Sequence, residues 1–392
     1  MSFLTVSLLT LLLAASLSAC SDAAKPASGA DAQAVAISDA GGDVVPTADA
    51  AGADVAPDSK AADAGATAAP DVAADAPAPT DAGPEVAADA APPVDTVAAD
   101  VATDSGPALS TVTGTWTLGD SGAKYSLHGL WGAAKDKLVA VGEQGAIQWY
   151  DGAGWHAEAK PATIQWLHGV WGASDKDIWA VGESATAVHW DGSAWKVVAL
   201  PVDGALQAVH GTATDDVWTV GDAGGAVHWD GKLWAAVKLP VQNYLYGVHA
   251  IAKDDVWIAG GMGTLLHWDG KVWTSTPVGS SGMDDNIEGV WAYGAKDVWA
   301  VGKKGVVFHN TGSGWTKVES PTKAAWLFRI WGSASNDVWM AGNGGVVLHW
   351  NGEALAQIDI GELDALRGIW GSSAKDIWMV GPNKTTWHYL AP

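Results

Sequence analysis

One unit of about forty residues is written seven times between Thr111 and Pro392, and this repetition limits the fold more than any other feature of the chain. Its clearest copy reads Leu167-His168-Gly169-Val170-Trp171-Gly172, then Asp177-Ile178-Trp179-Ala180-Val181-Gly182, then Val188-His189-Trp190-Asp191-Gly192, then Trp195. The first segment returns at Trp131, Trp171, His210, His249, Trp291, Trp331 and Trp370, at spacings of 40, 39, 39, 42, 40 and 39 residues. A period in this range marks supersecondary units that are stacked or set in a ring. Each unit holds four short runs rich in Val, Ile and Trp, bounded by Gly, Asp, Asn and Ser, and none has the length or spacing of a helix. Four strands per unit and seven units predict an all-β fold, a seven-bladed β-propeller over residues 111–392.

The outer strand of the unit carries Trp at 155, 195, 234, 273 and 315, with Leu355 in the sixth unit and no counterpart in the seventh. The missing copy lies at the front. Trp116, in Gly114-Thr115-Trp116-Thr117, precedes Trp155 by 39 residues and so falls on the same register one unit early. The N-terminal strand is expected to complete the last blade, a join that removes the free edges on which sheets aggregate.

Residues 1–19 are apolar and Leu-rich, the length of a secretory signal and too short for a membrane span, although without the leading Lys or Arg of such signals. The stretch ends in Leu17-Ser18-Ala19-Cys20, which resembles a bacterial lipobox, whose cysteine becomes the lipidated first residue after cleavage. Cys20 is the only cysteine, so no disulfide can form within the chain. From Ser21 to Ser110 the chain is Ala, Asp, Pro, Val, Thr and Gly with no aromatic residue, and its 16 acidic against two basic side chains give −14 of the total −23. Such a composition predicts a disordered acidic tether over residues 20–110, on the order of 50 Å from end to end. An acidic chain also argues against nucleic acid as a partner, since phosphate binding needs a basic face.

Internal repetition separates scaffold from candidate site, because a side chain the blade needs should recur in every blade. Twenty-two of the 25 Trp fall on repeat registers, where large rings fill the wedge between twisted sheets. Asp136, Asp177, Asp216, Asp255, Asp297, Asp337 and Asp376 stand just before the second strand and read as turn-capping scaffold. His189, His228, His267, His309, His349 and His388, with Gln148 in the first unit, are expected to bond the scaffold, through those Asp, rather than to hold a metal.

The units disagree at the start of the first strand. One residue before its Gly stand His128, His168, Gln207, Tyr246, Glu288, Phe328 and Arg367, and three before it Ser126, Trp166, Ala205, Tyr244, Asn286, Trp326 and Ala365. The Leu between them is always aliphatic, so strand alternation puts both variable sets on one face, expected to line the channel and one rim. Aromatic faces beside a few polar groups suit a binding surface for sugar rings or peptide side chains; the competing reading is a plug for the channel. His128, His168 and Glu288 lie on blades one, two and five, and blade five does not adjoin the other two, which argues against a metal site. The one sizeable insertion, Gly279 to Glu288 with Asp284 and Asp285, lacks a calcium-loop pattern and reads as a solvated loop.

The G-V-W-G, D-V-W-A-V-G, H-W-D-G, W unit resembles BNR-like and WD-type (WD40/YVTN) propeller repeats of bacterial envelope lipoproteins, over Thr111 to Pro392. The resemblance implies a seven-bladed, lipid-anchored propeller, and Ser21 after the cysteine implies outer-membrane sorting in a Gram-negative envelope, with the leaflet left open. The D-G-x-x-W string at Asp191-Gly192 and Trp195 is similar to the Asp-box of sialidases, but its leading Ser is missing and the spacing is one short. Sialidases bind their substrate with three arginines, and this chain has only Arg329 and Arg367. No G-x-S-x-G, H-E-x-x-H, phosphate-loop or cysteine-nucleophile pattern is present. The expectation is a monomeric, non-catalytic module without cofactor, binding a glycan or protein at Trp166, Trp326, Tyr244, Tyr246, Phe328, His128, His168, Gln207, Glu288 and Arg367. Two alternatives stand beside it: a carbohydrate-active hydrolase or lyase using Glu288 and a second rim acid, and an assembly factor for envelope proteins.

Overall fold

A computed structural model describes residues 113–279 and 285–392. The signal segment, Cys20, the acidic tether and Asp284 lie outside the described residues. The described chain forms seven four-stranded antiparallel sheets and no α-helix, only four single 3₁₀ turns. In blade two, for example, the strands are Leu167–Ser174, Asp177–Gly182, Ala187–Trp190 and Trp195–Val198, hydrogen-bonded in that order from the axis outward. Blades one to six, numbered in chain order from Leu127, are built in this way. Blade seven takes its inner three strands from Gly368–Ser373, Asp376–Val380 and Thr385–Leu390 and its outer strand from Thr115–Asp120, which pairs Trp116 opposite Tyr389. The expected join of the two chain regions in one sheet is therefore present.

The recurring residues form two repeated contacts. In blades two to seven the second-strand Trp stacks on the third-strand His with centroids 3.9 to 4.1 Å apart. The same His donates Nε2–H to Oδ1 of the Asp that opens the second strand, at 2.6 to 2.9 Å. The outer-strand Trp then stands edge-on against the second-strand Trp of the preceding blade, as Trp234 does on Trp179 at 5.0 Å and 84° and Trp315 on Trp257 at 5.7 Å and 86°. Edge-to-face packing suits the ring quadrupoles and fills the wedge that opens away from the axis.

Blade one breaks this scheme, and two sequence registers need correction. Its second strand opens with Lys137, so Asp136 lies one residue too early to play the part of Asp177. Val139 pairs with Trp149 where Trp179 pairs with His189, so Trp149, not Gln148, occupies the histidine position. The Trp–His–Asp cluster of the other blades becomes Val139, Trp149 and Lys137.

Near the axis the blades are keyed to one another by size. The first-strand Trp of one blade lies over the Gly of the next: a Cβ on Gly172 would meet Trp131, on Gly211 Trp171 and on Gly332 Trp291, each at 2.7 to 2.8 Å. Gly371 and Gly132 stand in the same relation to Trp331 and Trp370. Where blades three and four carry His210 and His249 instead, the next residue in the following blade is Ala250 or Ala292, and Ala250 N–H donates to His210 Nδ1 at 3.1 Å.

Candidate binding site at the channel mouth

The seven inner strands begin at one mouth of the central channel, where two devices set their side chains. The first is a β-bulge in blades one to six: pairing runs Leu127↔Gly142 and then Gly129↔Val141, so His128 is an extra residue. The same shift isolates His168, Gln207, Tyr246, Glu288 and Phe328. Plain alternation, expected from the sequence, does not hold here, because a bulge re-aims the inserted side chain. His168, Gln207, Tyr246 and Glu288 line the channel, whereas Trp166, Tyr244 and Trp326 stand exposed on the rim.

The second device is the Gly that ends the second strand of blades one to six and directly follows it in blade seven. A Cβ on Gly182 would lie 1.8 Å from the Trp166 carbonyl oxygen, an approach open only to glycine. It lets the Trp166 carbonyl accept the N–H of Glu183 at 2.9 Å, and Ser126 accepts likewise from Glu143, Ala205 from Asp222, Asn286 from Lys303 and Trp326 from Asn343. These bonds bring a second set of non-recurring residues beside the first: Glu143, Glu183, Asp222, Gly261, Lys303 and Asn343. Pro382 holds the same position in blade seven but has no N–H to make the bond. Sequence reasoning missed this set. The comparison of units that singled out the first strand would have found it one residue after the second-strand Gly.

The two sets pair chemically. His168 Nε2 contacts Glu183 Oε1 at 3.0 Å, His128 Nε2 lies 3.6 Å from Glu143 Oε1, and Gln207 Nε2 reaches Asp222 Oδ1 at 3.5 Å. Across the blade boundary, His128 and His168 stack at 5.5 Å with their Nδ1 atoms 3.3 Å apart, so one of them donates to the other. Burial, Arg367, His168 and Arg329 together hold the His128 pKa down to about 3, which keeps that ring neutral. Trp166 closes over this pair, edge-on to His128 at 5.9 Å.

Blades five to seven supply the cations. Arg329 stands where Gly129, Gly169, Gly247, Gly289 and Gly368 stand in other blades, and donates from Nη1 to the Phe328 carbonyl at 3.1 Å. Arg367 lies 5.4 Å from the Phe328 ring and Lys303 lies 4.5 Å from the Trp326 ring. Both are within cation–π range. Glu288 is 6% exposed, its Oε1 has no hydrogen-bond partner, and burial raises its pKa against the opposing pull of Trp326, Arg329 and Lys303. Asn286 donates to the Tyr246 hydroxyl at 3.4 Å, and Tyr244 lies parallel to Tyr246 at 6.5 Å.

All the candidate residues therefore gather at one mouth, opening on a cavity of about 260 Å³ whose lining includes every blade. Among the described residues of that lining, Glu288 is the only carboxylate and Arg329 the only permanent cation. His128 and His168 meet, but Glu288 does not join them, and among the described residues no group of three or more His, Cys, Asp or Glu is placed to hold a metal ion. Trp387, outside the repeat registers in sequence, is 8% exposed, donates to Glu362 Oε2 at 2.9 Å and takes no part in the cavity lining.

No protein-family profile matches the sequence, and no curated protein matches it. Solved structures do match in shape. The propeller is similar to virginiamycin B lyase from Staphylococcus aureus at 16% identity and a TM-score of 0.62, over 71% of this chain and all of that one. It is similar to YCF48 bound to D1 peptide at 15% identity and a TM-score of 0.59, over 71% of this chain and 95% of the other. The WD40 propeller domain of Doa1 aligns at 12% identity and a TM-score of 0.58, over 70% and 97%. At these identities the likeness is one of fold, and the fold is a β-propeller.

Proposed function

We propose that this chain is a non-catalytic binding module, held at the cell envelope through a lipid on Cys20, that captures a polypeptide segment of another protein at its channel mouth. The carrying observation is the contrast between aromatic sets. The recurring second-strand indoles are 0 to 5% exposed, whereas Trp166, Tyr244 and Trp326 are 38%, 56% and 36% exposed, beside the only two arginines of an acidic chain. Flat aromatic faces and a cationic sector favour a chain that offers apolar side chains and a carboxylate. The peptide-bound YCF48 structure among the similar folds supports a protein ligand over a glycan, and envelope assembly is one use of such capture.

Trp166→Ala and Trp326→Ala are expected to leave the melting temperature within a few degrees of the parent and to weaken ligand binding at least tenfold, because their rings are exposed stacking surface. Trp179→Ala, which removes a buried ring, is expected to cost about 3–5 kcal/mol of stability. The ligand is to be found by a pull-down and glycan-array screen with residues 111–392. Rim variants that unfold, or that bind unchanged, would move the site elsewhere. For the anchor, Cys20→Ser is expected to shift the protein from the membrane fraction to the soluble fraction or to leave it unprocessed, since the acyl chains supply the attachment. Unchanged fractionation would remove the lipid from the proposal.

A second reading, a hydrolase or lyase, draws on Glu288, whose burial and raised pKa suit a general acid. A two-acid glycosidase needs a partner carboxylate, and none shares the channel lining with it among the described residues. Turnover that vanishes in Glu288→Gln while ligand affinity survives would favour this reading.

A further inference from the structure

The cavity below the channel mouth holds two opposite charges that are not bonded to each other. Glu288, the bulge residue of blade five, is 6% exposed, and its Oε1 accepts no hydrogen bond. Arg329, on the first strand of the adjoining blade six, stands where most blades carry Gly, so it sets a guanidinium where the scaffold needs no side chain. The two line one space of about 260 Å³, and each acts on the other's charge. Arg329 nevertheless gives its Nη1–H to the Phe328 carbonyl at 3.1 Å, and none of its N–H groups reaches Glu288 Oε1. Among the other polar side chains of the lining, His168, Gln207, His210 and Tyr246 are already held, by Glu183, Asp222, the Ala250 N–H and Asn286. Lys303 and Arg367 lie outside the lining, against the rings of Trp326 and Phe328.

We propose that this cavity binds an uncharged primary carboxamide, the side chain of an Asn or Gln in the polypeptide captured at the mouth. The source of the group rests on the capture reading above; its chemistry rests on the cavity. A buried acceptor without a donor is unfavourable, and a ligand N–H placed on Glu288 Oε1 removes that cost. An ammonium would also donate, but it would set a second positive charge beside Arg329. A carboxylate would satisfy Arg329 and meet Glu288 instead. Out of water, either like-charge contact is costly. A carboxamide donates through nitrogen and accepts through oxygen, so it answers both groups and adds no charge. Its donor and acceptor sit on different atoms, which suits two groups that are not bonded to each other, whereas a hydroxyl must serve both through one oxygen. Val290 and Ile330, from the same two strands, offer apolar wall to the methylenes. A cavity of about 150 Å³ already takes up benzene, so the larger space here has room for such a side chain.

The test uses the methyl-labelled full chain at neutral pH and four probes of similar size: butyramide, butyrate, butylammonium and butanol. Each is titrated to about 50 mM, because ligands of so few atoms bind weakly. Butyramide is expected to shift the Val290 and Ile330 methyl resonances in a saturable manner, and the other three to bind at least about tenfold more weakly. Glu288→Gln leaves Arg329 as the one charge of the lining and is expected to move the preference to butyrate. Arg329→Gly installs the residue of the other blades, leaves Glu288 alone and is expected to move the preference to butylammonium. Saturable shifts by none of the four, a parent preference for any probe but butyramide, or an unchanged order in the folded variants would each overturn the proposal. The parent titrations decide the matter even if neither variant folds. No polypeptide is present in them, so the cavity and the capture reading fail separately: Trp166→Ala is expected to weaken polypeptide binding and to leave the butyramide shifts unchanged.

Discussion

Removing residues 113–120 is expected to lower the melting temperature by about 10 °C or more and to promote association between chains. Six residues of this strand pair with Thr385–Leu390, and Ser121 continues the contact through its N–H and hydroxyl to the Lys384 carbonyl. Without the strand, Thr385–Leu390 becomes a bare edge that offers its unpaired N–H and C=O groups to other chains. The deletion also strips Trp116 from between Trp339, edge-on at 5.8 Å, and Tyr389 at 5.2 Å. Loss of that ring alone, in Trp116→Ala, is expected to cost about 3–5 kcal/mol, the range for removing a large packed aromatic. Calorimetry and size-exclusion chromatography read both effects. A truncated protein that melts with the parent and elutes at the corresponding size would show that ring closure contributes little.

Acid is expected to unfold the propeller well above the carboxylate range. Burial, with the neighbouring Arg367, His168 and Arg329, lowers His128 to about 3; burial lowers His249 to about 4, and burial with His249 beside it puts His210 well below its ordinary value. A histidine with a depressed folded pKa favours its neutral form, so its contribution is present above the unfolded pKa of about 6.5 and is lost as pH falls toward the folded value. Each such group binds nearly one more proton in the unfolded chain near pH 5, which is about 1.4 kcal/mol per pH unit. Three of them make the decline about 4 kcal/mol per pH unit at its steepest. Glu288, raised by burial, works in the opposite direction above the unfolded carboxylate value and offsets part of it. Urea denaturation at pH 7.5, 6 and 5 measures the slope; equal stabilities across that range would mean that these rings are free to take up protons in the fold.

The blade count, the shared seventh blade and the His–Asp bonds were legible because each repeats, and repetition in a closed ring has one geometric meaning. Asp136 and Gln148 misled for the same reason in reverse. Blade one resembles its siblings closely enough to be aligned by eye, yet a one-residue slip exchanges Lys137 for Asp136 and Trp149 for Gln148, and the slip shows only through backbone pairing. The mouth residues were found from their disagreement, but their geometry was not. Alternation assumes a regular ladder, and the bulge beside Gly129 and its counterparts depends on pairing with a strand that the local sequence does not name. Glu183 and Lys303 escaped because their role comes from a carbonyl on another strand, brought near by a glycine whose own position recurs without exception.

The Trp-over-Gly contacts around the axis also bear on how such a ring can change over time. Each first strand is matched to the one that follows, so a blade cannot be copied or exchanged by itself: its forward partner must accept its ring and its backward partner must spare its Cβ. Blades three to five, which carry His210 against Ala250 and His249 against Ala292, form a run of altered steps bounded by Trp171 against Gly211 on one side and Trp291 against Gly332 on the other. A recombined propeller would therefore keep its packing only if whole runs moved together with both boundary pairs intact. Seven near-identical units acquire in this way a fixed order, written in the sizes of neighbouring side chains.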